Sequence, residues 1–272
     1  LSSDLLYFSY VLQKAYIENN SEPKFEKLMK EIGTSSNSLF SSPFDSVRNH
    51  LNNLKGIEGF IYRNYTEEGT AGQEFIRKYF IPENGKKIDA IRTKIEEWKK
   101  ERLINENEYF VLLATLIESV PFYANISGVY AAFLKQYDPR ALKIIEMKPI
   151  IFYLGKKEHS VHNKNSMELI DKIDVDILYL DPPYNHRQYA PNYHLLETIA
   201  LYDNPAIKGV TGMRSYKNQK SEFCNKDTAL KALDKIAKIA KYKHLILSYN
   251  SEGTMPEKEI LSVLEKYGEV TL

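Results

Sequence analysis

The chain has 272 residues, 43% of them hydrophobic, which is enough to bury a substantial core in one large domain or in a domain with an insertion. Its 37 basic and 36 acidic residues give a net charge of +1, which excludes an overall basic signature of nucleic-acid binding. No apolar run has the length of a membrane span, the first residues lack the features of a signal peptide, and the single cysteine excludes an internal disulfide, so we expect a cytoplasmic protein.

The first predicted elements are the end of a strand at Leu1–Asp4 and an amphipathic helix that continues to about Asn19. From about residue 20 to residue 140 the sequence favours longer helices. Apolar residues recur at helical spacing in two of them: Ile88, Ile91, Ile95 and Trp98 in one, and Leu112, Leu113, Leu116 and Ile117 in the next. Asn105 and Glu108 predict a capping box at the start of the second helix. A third helix is predicted over Asn125–Lys135.

The last third of the chain alternates between strands and helices. Val175–Leu180 and His244–Tyr249 are short apolar runs that predict two buried strands. Helical periodicity is found between and after these strands, over Tyr193–Tyr202, Asp227–Lys241 and Pro256–Tyr267. A final strand is predicted over Glu269–Leu272. This alternation is typical of a parallel α/β sheet.

These patterns predict a discontinuous α/β domain. We expect residues 1–19 and 141–272 to form the domain, and residues 20–140 to be a mainly helical insertion in it. The pattern begins and stops within the sheet, so we expect the domain to be truncated at both ends.

The loop after the predicted strand Val175–Leu180 contains the residues that indicate a reaction: Asp181, Pro182, Pro183 and Tyr184. Ligands of parallel α/β sheets bind outside the carboxyl ends of the strands. The Asp181 carboxylate and the Pro182 carbonyl could accept hydrogen bonds from an exocyclic base amine, while the two prolines stiffen the loop. Tyr184 offers a flat ring on which a flipped base could stack. The alternative is a proline turn in which Asp181 caps local backbone groups.

Four stretches resemble the D12 class of adenine-specific DNA methyltransferases, the modification enzymes of type II restriction systems. They are Asp181–Pro205, His162–Ile173, Leu247–Gly253 and Asn125–Lys143. The resemblance implies a Rossmann-like sheet that binds S-adenosylmethionine and transfers its methyl group to N6 of adenine in double-stranded DNA. It implies no metal, since the cofactor's sulfonium already makes the methyl group electrophilic. A cognate restriction endonuclease is an expected partner in such a system.

The resemblance also implies cofactor-binding residues. Asp4 stands where the family has an acidic residue that binds the cofactor's ribose hydroxyls, although it could instead cap the following helix. Asn165 stands where the family often has an aspartate beside the cofactor's adenine, and an amide can both donate and accept there. Asp181 is the third cofactor-binding residue that the resemblance implies. The family's glycine-rich cofactor loop is missing before Asp4, so we expect either a lost N-terminal segment or poor cofactor binding.

A basic segment and the helical insertion are the candidates for DNA contacts. Residues 208–220 contain Lys208, Arg214, Lys217 and Lys220 without an acidic residue. This composition suits salt-sensitive phosphate contacts, but it also suits an ordinary solvated loop. In the insertion, the side chains of Tyr62–Tyr65 could contact bases. The insertion as a whole is the candidate for target recognition.

Two other functions stay open. A similar pair of acceptors could activate cytosine N4, an RNA adenine or a glutamine amide, although the acidic first position of the loop favours DNA adenine. The other is a truncated protein that binds DNA without catalysis, and the missing glycine-rich loop is its main support.

Overall fold

The computed structural model describes residues 1–33 and 42–272, which form a mixed α/β protein as the sequence predicts. These residues form two compact units. The first unit consists of Leu1–Ser2, Leu6–His162 and Tyr193–Ser215, and the second of Ser3–Leu5, Asn163–Asn192 and Tyr216–Leu272. Within the described residues, no helix is both long enough and apolar enough to cross a membrane.

The first unit is mainly helical. Its described helices are α1 (Tyr7–Gln13, continued by a π-helical turn at Lys14–Glu18), α2 (Glu26–Ile32), α3 (Pro43–Asn52), α4 (Phe60–Tyr65), α5 (Pro82–Lys100) and α6 (Glu106–Tyr123). Strands β1 (Ser2–Asp4) and β2 (Val161–Asn163) pair with each other. Helix α7 (Tyr189–Leu201) is kinked at Tyr193. It is followed by a short antiparallel hairpin of β4 (Ile207–Lys208) and β5 (Met213–Arg214).

Helices α5 and α6 provide much of the core of the first unit. All eight apolar residues predicted to mark their inner faces are buried, so both predicted helices are confirmed. The predicted capping box is also confirmed. The Asn105 side chain accepts a hydrogen bond from the Glu108 amide at 3.0 Å, and the Glu108 carboxylate accepts one from the Asn105 amide at 2.8 Å. This reciprocal pair fixes the start of α6.

The predicted helix over Asn125–Lys135 is wrong. Its residues form turns and irregular backbone around the fully buried Asn125 side chain. The Asn125 amide donates to the carbonyls of Lys78 and Leu134, at 2.9 Å each, and its oxygen accepts from the Asp138 amide at 2.9 Å. These bonds to one asparagine hold the backbone out of a helix. Gly128 has a φ of +126°, which no right-handed helix contains.

The tyrosines of Tyr62–Tyr65 are buried rather than exposed to a ligand. Both belong to α4, and Tyr65 is completely buried. The Tyr65 hydroxyl donates to the Gly212 carbonyl at 2.7 Å. The prediction that these two tyrosines contact bases is therefore wrong, because Tyr65 belongs to the core of the first unit and Tyr62 is only 8% exposed, with its hydroxyl bonded to Glu68 at 2.8 Å.

His194 is a buried, neutral histidine in the first unit. Its Nε2 lies 2.9 Å from the Tyr130 carbonyl and 3.5 Å from the Tyr79 hydroxyl. The bond to the carbonyl requires the proton of the neutral ring to be on Nε2. Burial lowers the pKa of His194 to about 4. Since an unfolded histidine has a pKa of about 6.5, acid protonates the unfolded chain first.

We expect the free energy of unfolding to contain the full His194 contribution above pH 6.5 and to lose it as the pH falls toward 4. One pKa unit corresponds to about 1.4 kcal/mol, so the loss reaches about 3 kcal/mol. Urea denaturation at a series of pH values measures it. The His194→Gln variant should lose this part of the pH dependence, whereas His159→Gln, at an exposed histidine, should keep it. An unchanged profile in His194→Gln would contradict the assignment.

The second unit is built on two parallel strands. Strand β3 (Asp174–Leu180) pairs with β6 (Lys241–Leu247), with Leu178 opposite Leu245. Helices α8 (Lys226–Ile239) and α9 (Glu257–Leu264) complete its regular elements together with four 3-10 turns, at Ser166–Glu168, Ile170–Lys172, Lys217–Gln219 and Glu222–Cys224. The predicted pair of strands and the helices beside it are confirmed, with ends shifted by a few residues.

The sequence overestimates the burial of these strands and the amount of sheet. Leu178 packs in one core with residues of α8, whereas Ile177 and Tyr179, on the other face of β3, are each 59% exposed. An apolar run cannot show whether one face or both faces of a strand are covered. The predicted strand over Glu269–Leu272 is wrong, because these residues pair with no strand of the part of the chain that the structure describes.

Candidate active site

The Asp181–Tyr184 loop starts directly at the end of β3, in the second unit. The Leu180 carbonyl accepts a hydrogen bond from the Ser248 amide at 2.9 Å, so the pairing between the two strands continues up to the loop. Asp181 is exposed, and within residues 1–33 and 42–272 its carboxylate has no hydrogen-bond partner. The structure thus excludes the alternative in which Asp181 caps local backbone groups. The carboxylate is free to bind a ligand at the carboxyl end of a parallel strand.

The backbone of Tyr184 is held by the turn that follows β6. The Tyr184 carbonyl accepts hydrogen bonds from the Thr254 amide at 2.7 Å and from the Tyr249 hydroxyl at 3.1 Å. The Tyr249 hydroxyl in turn accepts from the amide of Met255, a buried residue of the second core, at 3.0 Å. Tyr184 as a whole is 41% exposed. A backbone held by two hydrogen bonds therefore presents an exposed tyrosine three residues after Asp181.

This turn has no room for a side chain at Gly253. An added Cβ would lie 2.3 Å from Cε1 of Tyr249 and 2.8 Å from the Asn250 carbonyl oxygen. We expect Gly253→Ala to displace the Tyr249 ring and to lower the free energy of unfolding by about 1–3 kcal/mol, measured by urea denaturation. Gly268→Ala is the matched control, because no atom lies within 4 Å of its added Cβ. Equal stability of the two variants would contradict the packing argument.

Asp4 lies at the end of β1 and does not cap α1. Leu6 occupies the N-cap position of that helix without a side-chain bond. The first helical amides, those of Tyr7 and Phe8, donate instead to the buried carboxylate of Glu197, at 3.0 and 2.9 Å. The helix-cap alternative for Asp4 is therefore excluded, and a ligand-binding role stays a prediction.

Asn165 lies just beyond the end of β2, in the same strand pair. Two contacts join the strand ends: the Ser3 hydroxyl donates to the Lys164 carbonyl at 2.9 Å, and the side-chain NH₂ group of Asn163 donates to the Asp4 carbonyl at 3.0 Å. The Asn165 side-chain oxygen accepts from the Met167 amide at 3.0 Å, which leaves its NH₂ group as a donor. Asp4 and Asn165 thus supply an acceptor and a donor, which suits a ligand with hydroxyls and a ring nitrogen.

The four basic residues of the segment 208–220 do not share one environment. Lys208, in the hairpin of the first unit, is exposed, and no described residue forms an ion pair with it. Arg214, in the same hairpin, donates two hydrogen bonds to the Asp203 carboxylate, at 2.9 and 2.8 Å, and its side chain is only 11% exposed. Lys217 and Lys220 belong to the second unit and are exposed, also without an ion-pair partner among the described residues. Three of the four cations are therefore available to a ligand.

Tyr249 is a site residue that the sequence analysis missed. Its stretch, Leu247–Gly253, is interpreted there only as a strand and a turn, whereas the Tyr249 hydroxyl bonds to a residue 65 positions away. One signal could have found it. The carboxyl ends of neighbouring parallel strands meet at the same edge of a sheet, so the residues after β6 had to lie beside those after β3.

Comparisons with known proteins assign the chain to a family. The model of the family described as D12 class N6 adenine-specific DNA methyltransferase matches residues 1–263. The type II methyltransferase M.FokI of Planomicrobium okeanokoites is 45% identical over 268 residues, which cover 98% of this chain and 40% of the relative. The modification methylase StsI of Streptococcus sanguinis is 40% identical over 266 residues, covering 98% of this chain and 39% of the relative.

A shorter relative is matched over most of its length. The type II methyltransferase M.NlaIII of Neisseria lactamica is 39% identical over 272 residues, which cover 100% of this chain and 74% of the relative. The chain spans about two fifths of the length of the two longer relatives. No solved structure matches it. The family match, which covers almost the whole sequence, shows that the chain belongs to the D12 class of N6 adenine-specific DNA methyltransferases.

Proposed function

We propose that this chain catalyses the transfer of a methyl group from S-adenosylmethionine to N6 of adenine in double-stranded DNA. The observation that carries the proposal is the Asp181 carboxylate, which is exposed and without a hydrogen-bond partner among the described residues at the carboxyl end of β3. Membership of the family supports the same reaction.

The proposed chemistry needs two acceptors because the amine of adenine is a poor nucleophile. Its lone pair is delocalised into the ring and must become available in the transition state. The Asp181 carboxylate and the Pro182 carbonyl accept the two N–H groups and so favour a pyramidal nitrogen. Hydrogen bonds to a charged acceptor are the stronger kind, so Asp181 contributes more than the carbonyl. Pro182 and Pro183 lack amide hydrogens and have fixed φ angles, which keeps both acceptors in place.

Tyr184 receives the target base in this proposal. A base inside a duplex cannot reach the two acceptors, so it has to leave the helix, at the cost of its stacking and pairing. Stacking on the exposed ring of Tyr184 returns part of that free energy. The two bonds to the Tyr184 carbonyl fix the position from which the ring is presented.

Asp4, Asn165 and Asp181 are the proposed cofactor residues, in a Rossmann-like sheet to which β3 and β6 belong. The Asp4 carboxylate is suited to accept the two ribose hydroxyls, and the free NH₂ of Asn165 to donate to a ring nitrogen of the cofactor's adenine. When bound, S-adenosylmethionine supplies a methyl group on a positive sulfur, which makes that carbon electrophilic. Asp181 places the accepting nitrogen toward it.

DNA binding is proposed for the basic segment. Lys208, Lys217 and Lys220 would contact phosphates. Arg214 would stabilise the hairpin through its hydrogen bonds to Asp203, and would attract DNA only through the part of its charge that Asp203 does not neutralise. We further propose that residues 1–19 and 141–272 form the catalytic domain and that residues 20–140 recognise the target sequence. A restriction endonuclease that cuts the same unmodified sequence is the proposed functional partner.

The test is transfer of labelled methyl from S-adenosylmethionine to unmodified mixed-sequence DNA, followed by nucleoside analysis. Labelled N6-methyladenine is the expected product. Parallel reactions with RNA and with protein examine the other acceptors. Label in N4-methylcytosine, in RNA or in a glutamine amide would assign a different substrate, and no transfer to any acceptor would overturn the proposal.

A further inference from the structure

Gln188 lies four residues after Tyr184 and pairs with the backbone of Ser221, within the second unit. Its Oε1 accepts a hydrogen bond from the Ser221 amide at 2.7 Å, and its Nε2 donates to the Ser221 carbonyl at 3.1 Å. One planar side chain thus makes the two bonds that opposite residues exchange in an antiparallel sheet. The pair joins positions 33 residues apart in the sequence.

A second contact holds the same two segments together. The Cys224 thiol donates to the Arg187 carbonyl at 3.4 Å. Cys224 and its neighbour Phe223 are 5% and 6% exposed, and Phe223 belongs to the core of the second unit. The residues that follow the Asp181–Tyr184 loop are therefore attached, through Ser221–Cys224, to the core of the second unit.

Two of the proposed phosphate-binding lysines lie immediately before this attachment. Lys217 begins a 3-10 turn, Lys217–Gln219, and Lys220 precedes Ser221 directly. Both lysines are exposed. A force that fixes the backbone of Lys217–Lys220 also fixes Ser221, and the Gln188 side chain, bonded twice to Ser221, transfers this constraint to the segment after Tyr184.

We propose that Gln188 is a positioning residue that couples phosphate binding at Lys217 and Lys220 to the placement of Asp181–Tyr184. The inference rests on the proposed function. Gln188 does not touch the reacting atoms and acts through Ser221. When the pair is intact, bound DNA holds the catalytic loop in its reactive position. When the pair is lost, the lysines still bind DNA, but the position of the loop depends on them less.

The first test is Gln188→Ala. Two hydrogen bonds are lost, and we expect kcat at saturating DNA to fall by about 10- to 100-fold. The DNA Kd and its dependence on salt concentration should stay within about twofold, because the lysines are unchanged. Gln188→Glu keeps the acceptor for the Ser221 amide and should retain an intermediate kcat.

The second test measures the coupling itself. Lys217→Gln with Lys220→Gln should weaken DNA binding and also lower kcat in the unaltered protein. In the Gln188→Ala background the same two changes should weaken binding by the same factor but lower kcat by a clearly smaller factor, because the Gln188–Ser221 connection is already broken. Losses in kcat that simply multiply would overturn the inference.

Asn225→Ala is the matched control, since it removes a comparable bond from the same segment. The Asn225 side chain accepts from the Asp227 amide at 3.0 Å, at the start of α8. This variant should be less stable but keep its kcat. An equal fall of kcat in Asn225→Ala would reduce Gln188 to a structural role.

Failure of this inference can be distinguished from failure of the proposed function. If the unaltered protein transfers methyl groups and Gln188→Ala does so equally well, only this inference fails. If the unaltered protein transfers none, the proposed function itself fails.

Discussion

Replacing Asp181 by alanine is expected to lower the rate of methyl transfer by about 10³-fold, because it removes the charged member of the acceptor pair. The amine would then keep only the Pro182 carbonyl as an acceptor. Asp181→Asn should lose most of the activity as well, since the amide has a single, uncharged acceptor oxygen and its NH₂ group cannot accept. The fold should be unaffected, because the Asp181 side chain is exposed and bonds to no described residue.

The control for this prediction is Asp176→Ala, five positions earlier. Asp176 is an exposed aspartate of β3, ion-paired on the surface with Lys243 of β6. Such a pair contributes about 0–1 kcal/mol, so this variant should keep both its stability and its activity. Initial rates of labelled methyl transfer and urea denaturation of all three variants provide the measurements. Activity in Asp181→Ala equal to that of the unaltered protein would show that another group activates the amine.

The sequence predicted those elements that are stabilised by contacts between residues close together in the chain. The apolar faces of α5 and α6 and the capping box at Asn105 depend on residues three or four positions apart, and all are found in the structure. The segment Asn125–Lys135 has the composition of a helix but folds around bonds to Lys78 and Asp138. Those partners are distant in the sequence or outside the segment, so no window over the segment could show them.

The same division applies to the candidate site. Asp181 and Tyr184 could be found because their types and their position after an apolar run are visible in the sequence. Gln188 could not, because it acts through two hydrogen bonds to the backbone of a residue 33 positions away. For Tyr249, the parallel strands place its turn beside the loop, but only the structure shows its hydrogen bond to a carbonyl 65 positions away. Arg214 shows the opposite case. Its charge suggests a phosphate ligand, but only the structure shows that the Asp203 carboxylate already binds it.

The second large effect is expected for Tyr184→Ala. Stacking of a base on an aromatic side chain contributes about 1–3 kcal/mol, so kcat/KM for duplex DNA should fall by about 10- to 100-fold. Tyr184→Phe should stay close to the unaltered protein, because the flat ring is kept and the hydrogen bonds at this residue use its backbone carbonyl. The comparison of the two variants thus separates the ring from the hydroxyl.

Tyr153→Ala removes an exposed tyrosine of the first unit and provides the control for a general effect of losing such a ring. It should leave kcat/KM unchanged. The backbone bonds to Thr254 and Tyr249 remain in Tyr184→Ala, so this variant should unfold at the same urea concentration as the unaltered protein. A loss of activity with unchanged stability then reports the contact with the base. Equal losses in Tyr184→Ala and Tyr184→Phe would instead assign the effect to the hydroxyl and overturn the stacking role.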